Sequence, residues 1–148
     1  MNHLVDTNIL CRLAEPGHAM HQAALDAVKL LAARGDQLHI VPQNLYEFWV
    51  VCTRPVSLNG MGRTAVEALS ELRSLKSLFD LLDETPRVFQ VWEQLVSTRP
   101  VLGRNAHDAR LVAAMMVHGL THILTFNAQD FRGYQGIIAV SPGGILQP

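Results

Sequence analysis

The sequence predicts an α/β fold of three layers, α/β/α, with helices on both faces of a mostly parallel sheet of about five strands. Three observations carry that expectation. Short apolar runs alternate with longer stretches of helical periodicity. The runs tend to stop at polar or acidic residues, where a helix begins. The length, 148 residues, suits a single domain over residues 1–148 with one sizeable core.

His3-Leu4-Val5 reads as a first buried strand, and Asp6-Thr7-Asn8 supplies capping side chains for a helix through Ile9, Leu10 and Leu13 that Pro16-Gly17 ends. From Ala19 to Arg34, Met20, Ala24, Ala27, Val28 and Leu31 recur at helical spacing, with Gly35 as the stop. Leu38 to Val41 reads as a second strand. Pro42 breaks it and starts a helix, Gln43 to Val51, that is apolar almost all round except for Glu47 and is therefore expected to be largely buried.

Thr53 to Arg63 is the longest stretch with turn chemistry and is expected to be a mobile flap over one edge of the fold. Ala65, Leu69, Leu72 and Leu75 mark the next amphipathic helix, followed by a short third strand at Phe79 to Leu82. Thr85-Pro86 opens a helix carried by Val88, Val91, Trp92, Leu95 and Val96 up to Pro100. Asn105, as N-cap, opens another with Leu111, Val112, Met115 and Met116 inward, ended at Gly119. His122 to Thr125 and Gly136 to Val140 read as the fourth and fifth strands with a loop between, and Ser141 to Pro148 has no clear element.

A net charge of −1 with both signs scattered gives no basic field, so contact with a polyanion has to rest on local arginines or bound cations. Cys11 and Cys52 lack CxxC spacing and read as reduced, buried thiols of a cytoplasmic protein. No apolar run is long enough for a membrane span, and Met1-Asn2-His3 is no signal-peptide start. None of the seven histidines has zinc-site spacing.

The acids carry the chemistry. Alone, Asp6 reads as an N-cap and Asp108 as a residue easing the dipole of its helix. Yet Asp108 shares i, i+3, i+4, i+7 spacing with Leu111, Val112 and Met115, which puts it on the stripe facing the core. Glu47 needs a partner, either a salt bridge to Arg54 or Arg110 or a cation shared with other acids, because a bare buried carboxylate costs several kcal/mol. Thr125 to Phe131 alone is a turn in which Asn127 and Asp130 bond the backbone. If these groups crowd one sheet edge, two carboxylates about 4 Å apart repel by roughly 4 kcal/mol at an effective dielectric of about 20. Such a cluster holds protons or binds a hard cation, and an all-oxygen set suits Mg²⁺ or Mn²⁺.

The joint pattern is a strand ending in Asp6-Thr7-Asn8, a helix Glu47, His107-Asp108 with the helix after it, and a strand leading to Thr125-Phe126-Asn127-Ala128-Gln129-Asp130-Phe131. It resembles the PIN domain, and most of all the VapC-type ribonuclease toxins of prokaryotic toxin-antitoxin pairs. The resemblance covers essentially the whole chain. It implies a PIN-like fold and metal-dependent endoribonuclease activity, with Asp6, Glu47 and Asp108 as the acidic residues that act in catalysis and hold Mg²⁺ or Mn²⁺. Thr7 or Asn8 would support the first Asp. The family often has Asp where this chain has Asn127, so Asp130 is expected to supply the fourth acid with Asn127 beside it. The resemblance further implies an RNA substrate, a homodimer and a cognate antitoxin.

Arg12, Arg54 and Arg110 are the candidate RNA contacts, with Arg63, Arg104 and Arg132 as further rim residues. A PIN-like module that grips RNA or protein without cutting is the alternative. A receiver-like phosphoacceptor domain is disfavoured, because the only lysines, Lys29 and Lys76, lie on amphipathic helices.

Overall fold

A computed structural model describes residues 1–147. The elements run β1 (Asn2–Val5), α1 (Thr7–Leu13), α2 (His21–Ala33), β2 (Gln37–Ile40), α3 (Pro42–Thr53), α4 (Ala65–Leu78) and β3 (Asp80–Leu81). They continue with α5 (Pro86–Thr98), α6 (Asn105–His118), β4 (His122–Leu124), β5 (Ile138–Val140) and α7 (Pro142–Leu146). Short 3-10 turns occupy Val56–Leu58 and Ala128–Phe131.

The five strands form one sheet in the order β3-β2-β1-β4-β5, and every pairing is parallel. Alternation along the strands splits the core in two. Val5, Leu38, Ile40 and Leu124 pack with α1 to α4 on one face, and Ile145 of α7 joins them. Leu4 and Ile123 pack with α5 and α6 on the other. The predicted three-layer α/β/α architecture is therefore present. β1 is central, and the strand order reverses between β1 and β4; crevices for ligands in open parallel sheets form beyond the carboxyl ends at such a switch point. Asp6 follows β1 there and Thr125 follows β4.

Several expectations need correction. Helix α3 is amphipathic rather than largely buried: Leu45, Phe48 and Cys52 enter the core, while Tyr46 and Val50 are 62% and 56% exposed. Leu69 of α4 and Met116 of α6 also face outward, with Ala68 and Leu75 as the core contacts of α4. Asn105 is the first residue of α6 rather than its cap, since Arg104 holds the cap position without a side-chain bond. The tail is not structureless: Ser141 Oγ accepts from Gly144 N at 3.1 Å and starts α7. Pro148 lies outside the described residues.

The expected flap is pinned to the end of α3. Met61 N, Gly62 N and Arg63 N donate to the carbonyls of Val51, Arg54 and Cys52, each at 2.9 Å. Gly60 packs so closely that a Cβ there would lie 1.9 Å from the Arg54 carbonyl oxygen, which explains why no side chain is carried at this point. Cys11 and Cys52 are free and buried, as expected. Among the described residues no helix is long and apolar enough to cross a membrane.

Candidate active site

Asp6 stands where β1 gives way to α1, with 7% of its surface exposed. Its Oδ1 accepts from Thr7 N at 2.7 Å, so it does cap the helix. The other oxygen has a different set of partners. Asp6 Oδ2 accepts from the Thr125 hydroxyl at 2.6 Å and from Asn8 Nδ2 at 3.1 Å. Asn8 Nδ2 also donates to Thr125 Oγ1 at 3.1 Å, while Asn8 Oδ1 accepts from Phe126 N at 3.2 Å. Thr125 Oγ1 additionally accepts from Asn127 N at 3.0 Å. The carboxylate is thus held by the segments after both central strands.

Glu47 projects from α3 and is half-buried. Neither cation considered as its partner takes that role: Arg110 pairs with Glu84, and Arg54 Nη2 donates to the Asn59 carbonyl at 3.4 Å. Its partner is instead Gln43 Nε2, one turn earlier, at 2.6 Å. Asp108 lies in the first turn of α6, half-buried, with Leu111, Val112 and Met115 buried along the same stripe as expected.

Asp6, Glu47, Asp108 and Asp130 line one open cleft of about 480 Å³, together with Thr7, Asn8, Asn127 and the arginines Arg12, Arg54 and Arg104. Four elements or their flanks therefore bring one acid each to the same cleft at the carboxyl end of the sheet. Arg12 is paired with Glu15 at 2.7 Å. Arg110 faces away, along a separate cavity with Val41, Pro42, Gln43 and Glu84. Arg63 donates to the Ala14 carbonyl at 3.3 Å and, like Arg132, is not among the residues lining the cleft.

A model of the PIN domain matches residues 3–136. The chain belongs to the PIN domain family. Solved structures agree in fold. VapBC2 from Rickettsia felis, bound to a promoter DNA fragment, is 14% identical with a TM-score of 0.71, covering 95% of this chain and 98% of that one. VapC20 of Mycobacterium tuberculosis, described as a Sarcin-Ricin loop cleaving toxin, is 20% identical with a TM-score of 0.67, covering 93% and 99%. A toxin-antitoxin complex from Klebsiella pneumoniae is 24% identical with a TM-score of 0.65, covering 95% and 97%. No curated protein sequence matches the chain.

In this PIN domain the cleft is electrostatically strained. Burial pushes the Asp6 carboxyl up to about 6, the Thr125 hydroxyl and Thr7 amide oppose the rise, and Glu47 and Asp108 add to it. Asp108 is also pushed up to about 6, by burial first and then by repulsion from Asp130 and Glu47, against Arg104 and His107. That repulsion shows Asp130 to be within electrostatic reach of Asp108. Among the described residues, no three His, Cys, Asp or Glu side chains stand close enough together to hold an ion as they are. The four acids nevertheless fit a hard divalent cation: each offers carboxylate oxygens, and among the described residues Glu47 has no arginine or lysine in salt-bridge contact.

Sequence reasoning did not assign Thr125, Gln43 or Asn44 to the site. Gln43 had a readable signal, its i−4 spacing from Glu47 on a helix. Thr125 needed the β1–β4 pairing, and the Asn44 Nδ2 bond to Thr7 Oγ1 at 3.2 Å joins residues 37 apart.

Proposed function

We propose that this single-domain protein is a metal-dependent endoribonuclease that hydrolyses RNA phosphodiester bonds, the toxin of a VapBC-type pair. The observation that carries the reading is the convergence of Asp6, Glu47, Asp108 and Asp130 on one cleft at the switch point of the sheet. Family membership and the toxin-antitoxin complexes among its structural neighbours support it. Mg²⁺ or Mn²⁺ is the species whose charge would offset the mutual repulsion of these carboxylates.

When bound, the cation supplies a local attraction for phosphate and activates water for in-line attack. The protein's own groups do the rest. Thr7 N, Asn8 and Thr125 fix the Asp6 carboxylate in one orientation, so little reorganisation is needed when the substrate arrives. At neutral pH Asp6 and Asp108 are mostly ionised, because their raised values still lie below 7. Arg54 and Arg104 at the rim offer guanidinium donors to the RNA backbone. Asn127, which brings no charge, stands beside Asp130 as a polar support. A homodimer and an antitoxin segment that covers the acids belong to the same reading, in a cytoplasmic setting.

Asn127 in place of an acid favours a second reading, a PIN domain that binds RNA or protein without cutting. Purified protein and a structured RNA separate the two. The nuclease reading expects cleavage with Mg²⁺ or Mn²⁺, none with EDTA, and a loss of at least about a hundredfold in Asp6→Asn. Cleavage unaffected by EDTA and by the substitution contradicts it.

A further inference from the structure

We propose that Gln43 is a positioning residue that holds Glu47 in the acid cleft and ties it to the start of α6, where Asp108 sits. The inference rests on reading the cleft as a metal site. Gln43 is 4% exposed, and its Nε2 donates twice: to Glu47 Oε1 at 2.6 Å and to the His107 carbonyl at 2.8 Å. Both partners are acceptors, so the amide nitrogen has to face them and the amide orientation is fixed. The two N–H groups of one side chain therefore link the acid of α3 to the residue preceding the acid of α6.

The other end of the amide argues that this link is not there for stability. Gln43 Oε1 is buried with no protein hydrogen-bond partner among the described residues. An orphaned acceptor costs folding free energy, and an apolar side chain of the same length would remove that cost. Its neighbour differs. Asn44 Oδ1 accepts from Val41 N at 2.9 Å and its Nδ2 donates to Thr7 Oγ1, so that amide is used at both ends and caps α3 as well. The consecutive amides tie α3 to α6 and to α1, the helices that carry or follow Asp108 and Asp6. Only the Gln43 link leaves an unmet acceptor, and only that link ends on a cleft carboxylate.

A group that orients a metal-ligating side chain typically changes metal affinity by 10- to 100-fold when lost. Gln43→Met keeps the length and removes both donors, and Gln43→Glu keeps the shape and removes them too. Mn²⁺ titration by calorimetry on the metal-free proteins is expected to show affinity weaker by at least about tenfold in both variants. The thermal midpoint of metal-free Gln43→Met is expected to change little, because removal of the unmet Oε1 offsets the lost donors to Glu47 and the His107 carbonyl. Equal Mn²⁺ affinity in wild type and Gln43→Met overturns the proposal, as does a fall in midpoint that accounts for the loss. Should wild type bind no Mn²⁺, the metal reading fails by itself and metal-free crystal structures decide. A Glu47 carboxylate turned out of the cleft in Gln43→Met upholds positioning, and one left in place overturns it.

Discussion

The Thr125 hydroxyl donates to Asp6 Oδ2 at 2.6 Å and joins two residues 119 apart in sequence. Parallel pairing of β1 with β4, with Val5 opposite Leu124, brings the residues after both strands side by side. One hydrogen bond thus closes the switch point of the sheet and orients the first acid of the cleft.

Thr125→Val removes that hydroxyl at nearly constant volume. It leaves Asp6 with one donor fewer and the Asn127 amide without its acceptor. Hydrogen bonds to charged groups contribute about 1.5–3 kcal/mol, so a loss of about 2 kcal/mol in urea unfolding is expected. Because Thr125 holds the Asp6 value down, the variant should also need a higher pH to bind metal. A stability change near zero would mean that the bond is idle.

Acidification should stabilise the metal-free protein through Asp6 and Asp108. Both bind their proton more tightly folded, at about 6, than at the ordinary value of 3.8. Between those values the folded state holds protons the unfolded state has lost, so stability falls as pH rises from 4 towards 6 and stays reduced above it. Asp108→Asn mimics the protonated form. It is expected to raise the thermal midpoint of metal-free protein at pH 7 and to lose that advantage by about pH 4. An Asp108→Asn midpoint below wild type at pH 7 would contradict the strain.

Gly60→Ala tests whether the segment after α3 is a fixed wall. A Cβ would meet the Arg54 carbonyl carbon at 2.4 Å and Arg54 Cβ at 2.5 Å, so the backbone has to move. Overpacking of this kind costs about 1–3 kcal/mol, readable in chemical denaturation. Since Arg54 lines the cleft from this segment, RNA cleavage should fall as well. A neutral result would restore the mobile flap.

Much of this arrangement is legible in the sequence, because apolar runs and helical periods report burial directly. The spacing of Asp108 with Leu111 and Val112, both buried, makes its helix face readable from the sequence. Composition misled where it could not say which face is covered, as at Tyr46 and Val50. The turn residues of Gly60 and Gly62 looked loose because the carbonyls that bind their segment belong to α3. Helix α7 contains Gly143 and Gly144, poor helix formers, and it depends on its Ser141 cap and the packing of Ile145. Thr125 and Gln43 act through partners that only the folded chain brings within reach.

The most direct measurement is an anomalous difference map from crystals grown with Mn²⁺. One or two peaks bounded by Asp6, Glu47, Asp108 and Asp130, lost in Asp108→Asn crystals, are the predicted result. A protein that diffracts well at millimolar Mn²⁺ with no peak in that cleft, or with its peak elsewhere, would contradict the account.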